Sequence, residues 1–186
     1  MGMPMPKVPT TADELDDMPA DGNRYEIIDG ELFVTPPPSM RHQRAQMRLI
    51  ARLLPYVESL GLELFAAPTD VRASPITQVE PDLLVVPRRR DLARGPNWVP
   101  MPQLHLAVEV LSPSTKRVDR GKKRTLYVSQ GVVEYWIVDV DGRAIEVSVP
   151  GEPTARVLRE LLTWRPLADR EPLIIDLEGY FREIDD

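Results

Sequence analysis

The segment Leu104-His-Leu-Ala-Val-Glu-Val-Leu111 is nearly apolar throughout and reads as a buried strand. Ser112-Pro-Ser-Thr115 ends it and prepares a helix from about Lys116 to Gln130, which Gly131 closes. Glu134 to Asp139 is a second apolar strand, followed after Asp141-Gly142 by Ala144 to Val149 as its hairpin partner. A helix that crosses between two buried strands permits them to be parallel neighbours. That order points to a mixed α/β fold.

The remaining elements agree with it. Thr11-Ala-Asp-Glu14 is a capping box that opens a short helix ending before Pro19. Tyr25 to Ile28 and Glu31 to Val34 flank Asp29-Gly30 and predict a hairpin, stopped by Pro36 to Pro38. Ser39 caps a long helix to about Leu60, with a kink or early end expected at Pro55. Strands are expected at 63–67, 70–73 and 82–86, then a long loop over 88–102. A turn of helix is expected near Leu177 to Phe181. No repeat or shift in composition marks a second domain. Residues 1–10 are therefore expected to be a flexible N-terminal segment and 11–186 a single domain.

Charge and composition narrow the function. Cysteine is absent, which removes disulfides, zinc–thiolate sites and thiol nucleophiles and fits a cytoplasmic setting. No apolar run is long enough to span a membrane. The net charge of −6 counts against simple nucleic-acid binding. Its distribution is uneven, however. Lys116, Arg117, Arg120, Lys122, Lys123 and Arg124 form one basic group, and Arg88, Arg89, Arg90 and Arg94 another. Such runs are either a solvated face or a surface for phosphates.

Two acids stand where burial is costly. Glu109 lies in the apolar strand just described, and Asp82 follows Pro81 at the head of Leu83-Leu84-Val85-Val86. An ionised carboxylate in such a place needs a cation or hydrogen bonds. It is either a salt bridge, a strand end open to water, or a metal ligand. On adjacent strands the two can converge on one hard cation, Mg²⁺ or Mn²⁺. Lys123 follows on the next helix and shares a face with Asp119 and Tyr127. It is either half of an ordinary surface pair or a group that leans back over the strand ends. His105 shares the Glu109 face by alternation and reads as structural or edge-exposed.

Pro81-Asp82, Glu109-Val-Leu-Ser-Pro-Ser-Thr115, Asp119 through Lys123 to Tyr127, and Gly131-Val-Val-Glu-Tyr-Trp-Ile-Val-Asp139 together resemble the Uma-type restriction endonuclease family. This domain of unknown function is similar to the PD-(D/E)XK nucleases. Arg24-Tyr-Glu-Ile-Ile-Asp-Gly-Glu31 and Pro38-Ser-Met-Arg-His42 fit the same pattern, so the likeness runs from about Thr11 to Phe181. It implies a restriction-endonuclease-like fold, with a central mixed sheet flanked by helices, an N-terminal hairpin and a long helix. It also implies Mg²⁺-dependent hydrolysis of DNA; a homodimer is expected on separate grounds, because cutting a duplex often uses two sites.

Residue by residue, the resemblance assigns Asp82 and Glu109 as metal-binding acids and lets Val110 offer its carbonyl to the metal. Glu26 is the upstream acid, giving outer-shell or second-metal ligation. Lys123 orients water or stabilises charge on phosphate, and His42 is a phosphate contact, a base or a helix-start residue. The superfamily's usual lysine position, two residues after the second acid, holds Leu111 here, so the ammonium must come from the following helix. Two other functions stay open: a catalytically weak nucleic-acid-binding module on the same fold, and a protein-interaction or oligomerisation domain. For a dimer, Trp98, Trp136 and the 88–102 loop are the expected apolar surface.

Overall fold

The computed structural model describes residues 8–88 and 97–186. Residues 1–7 of the expected N-terminal segment, and Arg89, Arg90 and Arg94 in the expected loop, lie outside the described residues. Ala12–Asp17 forms a short 3₁₀ helix, and Glu14 Oε2 accepts from the Thr11 and Thr10 amides at 3.0 and 2.8 Å. β1 (Arg24–Ile28) and β2 (Glu31–Thr35) form the expected hairpin. Asp29 and Gly30 both take positive φ, 53° and 77°, as a two-residue turn matched to strand twist requires.

α1 (Met40–Ser59) is capped by Ser39, whose side chain accepts from His42 N. α1 runs on through Pro55, so the helix does not end there. Pro55 and Ala51, whose carbonyl loses its partner, are both exposed, so water can take the missing bond. β3 (Leu62–Ala66), β4 (Asp70–Ser74) and β6 (Leu83–Pro87) follow the expected strands. Two short strands were not expected: β5 (Thr77–Val79), and β7 (Trp98–Pro100) inside the segment read as loop. Both are only three residues long, too short to show an alternation.

β8 (Leu106–Val110) leads into α2 (Lys116–Val118), a π-type segment Asp119–Lys123, and α3 (Arg124–Ser129). The predicted helix is thus present but widened in the middle. β9 (Glu134–Asp139), β10 (Ala144–Ser148), β11 (Arg156–Leu158), β12 (Leu161–Trp164) and β13 (Leu173–Asp176) come next. α4 (Leu177–Asp185) exceeds the single turn expected.

The main sheet has six strands in the order β11-β10-β9-β8-β6-β3. β8 and β9 are parallel, as the crossover helix allows, and their neighbours are antiparallel, so the sheet is mixed. The N-terminal hairpin belongs instead to a second sheet, β2-β1-β5-β4-β7. Alternation along the strands explains the layering. Leu83, Val85, Leu106, Val108 and Val110 pack on one face with Leu49, Leu53, Val57 and Phe181 from α1 and α4. Leu84, Val86 and Ala107 face the other way, toward Leu126 and Tyr127 of α3 and toward Val71 and Val79 of the second sheet. Trp136, expected to offer surface for a dimer, is fully buried and meets Trp164 edge-on at 5.6 Å. It alternates onto the α1 face, where a large side chain fills the core.

Candidate functional site

Register brings the two strand acids together. Leu83 pairs with Val108, so the next step along the antiparallel ladder sets Asp82 beside Glu109. Both share the parity of Leu84 and Ala107 and therefore lie on the side of the second sheet and α3. Asp82 stands just before β6 rather than in it. Its Oδ2 accepts from Val110 N at 2.7 Å and lies 3.0 Å from His42 Nε2. Val110 thus engages Asp82 through its amide N–H, a contact not foreseen when its carbonyl was singled out. Gln46 donates to the Asp82 carbonyl at 2.7 Å, so α1 fixes this corner through Gln46, while His42 Nε2 makes no well-formed hydrogen bond among the described residues.

Lys123 reaches the same place from the helix. The wider π turn turns both Asp119 and Lys123 inward, to 1% and 2% exposure. Lys123 Nζ sits 2.9 Å from Glu109 Oε1, 2.8 Å from Glu26 Oε2 and 3.8 Å from Asp119 Oδ1. Tyr127 OH donates to Glu109 Oε1 at 3.3 Å. Burial alone would lower the Lys123 pKa, but Glu109, Glu26 and Asp119 outweigh it and raise it, so the ammonium is charged. Burial pushes the Glu109 carboxyl well above the usual range against the pull of Lys123, with Asp119 and Asp82 adding to the rise. Burial likewise pushes Asp119 up to about 6. Neither Asp119 oxygen has a well-formed hydrogen bond among the described residues.

Two groups in the site escaped sequence reasoning. Arg24 places Nη2 3.0 Å from Asp82 Oδ1 and Nη1 4.0 Å from Glu109 Oε2. Its Nε lies 2.9 Å from Glu80 Oε1, and Nη1 donates to the Glu80 carbonyl at 2.8 Å. A signal existed, because Arg24 and Glu26 are two apart in β1 and so share a face. Glu80 gave no such signal, since it sits between strands. Its amide donates to Glu26 Oε1 at 2.7 Å. Both Glu26 oxygens are thereby engaged, and Glu26 stands behind Lys123.

An open groove of about 1390 Å³ runs over the front of this cluster. Arg24, His42, Glu80, Asp82, Glu109 and Lys123 line it, as do apolar residues including Pro37, Met47 and Leu111. Burial lowers the His42 pKa, so the ring is neutral at neutral pH. His105 is not on β8. It lies just before that strand, half-buried, with its amide donating to Val85 O at 2.8 Å.

The basic run after Thr115 is largely consumed within the molecule. Arg120 pairs with Asp139 at 2.7 Å and Glu146 at 2.5 Å, Lys122 pairs with Glu31, and Arg124 bonds Ser148 Oγ at 3.0 Å. Lys116 and Arg117 remain exposed.

The cluster holds five carboxyl groups, Glu26, Glu80, Asp82, Glu109 and Asp119, against the cations of Arg24 and Lys123. That excess of oxygen donors with negative charge suits a hard divalent cation. Among the described residues no three Asp, Glu or His side chains yet stand close enough to ligate one.

Residues 12–172 match the family model described as "Uma2: Putative restriction endonuclease". In structure the chain is similar to "a putative nuclease belonging to DUF820" from Anabaena variabilis ATCC 29413. That similarity has a TM-score of 0.78 and 18% identity, over 95% of this chain and 99% of the other. Among curated proteins nothing matches. No helix among the described residues is long and apolar enough to cross a membrane.

Proposed function

The chain belongs to the Uma2 restriction-endonuclease-like family, and from that premise we propose that residues 11–186 act as one nuclease domain hydrolysing phosphodiester bonds of DNA. The observation that carries the proposal is the pairing of Asp82 and Glu109 at adjacent strand ends on the groove, with a charged lysine against Glu109. These two acids would hold the cation, Mg²⁺ or Mn²⁺. Bound there, it would polarise a phosphate oxygen and lower the pKa of a bound water.

The chain's own residues supply the rest. Val110 N–H holds one oxygen of Asp82, so that carboxylate is oriented before any ligand arrives. Glu26 takes no part at the groove; it holds Lys123 in place and keeps it charged. Lys123, held against Glu109, stabilises negative charge that develops on the phosphate. His42, neutral and at the groove, is placed to contact the phosphate or take a proton.

The test is cleavage of supercoiled plasmid, single-stranded DNA and RNA with Mg²⁺ or Mn²⁺. The wild type should nick DNA, and Asp82→Asn or Glu109→Gln should abolish the activity while leaving the protein folded. Cutting that survives both substitutions would sink the proposal. DNA bound without cutting by the wild type would favour the catalytically weak module instead.

A further inference from the structure

Each groove acid spends one oxygen on the scaffold. Asp82 Oδ2 is held by Val110 N–H, and Glu109 Oε1 by Lys123 and Tyr127. The other oxygen of each, Asp82 Oδ1 and Glu109 Oε2, faces the Arg24 guanidinium, at 3.0 and 4.0 Å. Those are the two oxygens left for an incoming cation. Arg24 therefore competes with it for the same negative charge.

The contacts of Arg24 are unequal. Glu80 engages it twice, through Oε1 and through its backbone carbonyl, at 2.9 and 2.8 Å. Asp82 holds it through one contact, and Glu109 at the longer distance. Glu80 is the firmer anchor, and its carbonyl cannot be displaced without moving the chain. Asp82 and Glu109 stay aligned without Arg24, because their other oxygens are tied to Val110, Lys123 and Tyr127. Arg24 and Glu80 both line the groove, with side-chain exposures of 16% and 20%, so there is room for the guanidinium to move.

We propose that Arg24 is a resident counter-ion of Asp82 and Glu109, which a divalent cation displaces from the two acids while Glu80 retains it. This rests on the reading of Asp82 and Glu109 as the metal-binding pair. Arg24 sets how tightly the metal binds: it keeps the acids neutralised in the metal-free protein and lowers the metal affinity by competition. Once released from the acids it remains at the groove as a positive charge, available to a phosphate.

The test is calorimetric titration of the folded protein with MnCl₂, with thermal unfolding measured with and without the metal. The wild type should bind Mn²⁺, and Asp82→Asn should lose that binding. Arg24→Gln should bind Mn²⁺ about tenfold more tightly, since the metal no longer displaces a paired cation. Its metal-free form should melt lower than the wild type, and Mn²⁺ should raise its melting temperature by more. Glu80→Gln should weaken Mn²⁺ binding in the wild type, where it frees Arg24 to stay on the acids, and have no effect in the Arg24→Gln background. If Arg24→Gln fails to fold, Arg24→Lys serves, because it keeps the charge but loses the fork that spans both partners; its affinity should then rise by a smaller factor.

Unchanged or weaker Mn²⁺ binding by Arg24→Gln, with Asp82→Asn still abolishing it, would overturn the role of Arg24 and leave the metal pair standing. So would an equal loss from Glu80→Gln in both backgrounds, which would make Glu80 a ligand. No Mn²⁺ binding by the wild type and none by folded Arg24→Gln would overturn the metal pair and this proposal with it.

Discussion

Asp119 should be a liability to stability at neutral pH. Its carboxyl is 1% exposed, accepts no well-formed hydrogen bond among the described residues and lies 3.8 Å from Lys123 Nζ. Its pKa is pushed up from 3.8 to about 6 by burial, against the pull of Lys123 and of the nearby Thr115 side chain. The sign follows from the direction. A carboxyl whose folded pKa lies above its unfolded one favours the fold below about pH 4 and costs stability as pH rises through about 6. A shift of about two units at about 1.4 kcal/mol each sets the cost near 3 kcal/mol at pH 7.5, and near half that at pH 5. Asp119→Asn removes the ionisation and keeps the shape. Urea unfolding of the variant should show a gain of about 1–3 kcal/mol at pH 7.5, shrinking at pH 5. A loss of stability at pH 7.5, or a gain that does not change with pH, would refute the reasoning. The gain should come with reduced activity, as is common where a site holds strained charge.

Three further outcomes are expected. Lys123→Met leaves Glu26, Glu109 and Asp119 without their shared cation, and should cost about 3–5 kcal/mol at pH 7.5 by urea unfolding, less at pH 5 where Glu109 and Asp119, both raised by burial, take up protons. Trp136→Ala opens a cavity against Trp164 in the α1-side core and should cost about 3–5 kcal/mol. Tyr127→Phe removes the donor to Glu109 Oε1 at the back of the site and should cost about 1 kcal/mol, by the same assay.

The parts of the fold that were legible in the sequence are those with a periodic or chemical signature. β8, the crossover helix and β9 are marked by apolar runs and a helical stretch between them, which permits the parallel pairing they make. Asp29-Gly30 announced the hairpin because its turn needs positive φ at both residues. Asp82 and Glu109 stood out as charges on apolar strands, since burial makes an uncompensated carboxylate expensive. What was not legible was either short or set by tertiary packing. β5 and β7 are three residues each. The burial of Trp136 depends on which face of the sheet α1 covers. Glu80 joins the cluster from a connection between strands. Arg24 was missed although its spacing from Glu26 put both on one face; a charged residue at a strand end normally faces water, and here Asp82 and Glu80 draw it in. The basic run after Thr115 leaves two readings open in the sequence, a solvated face or a surface for phosphates, and acids distant in sequence neutralise much of it, Asp139, Glu146 and Glu31 among them.

The most direct test of the metal pair is an anomalous difference map from a crystal soaked in MnCl₂. The account predicts one strong peak at about 2.1 Å from an oxygen of Asp82 and an oxygen of Glu109, with Arg24 withdrawn to Glu80. A soaked crystal with no peak between those two acids, and Arg24 still against Asp82, would contradict it.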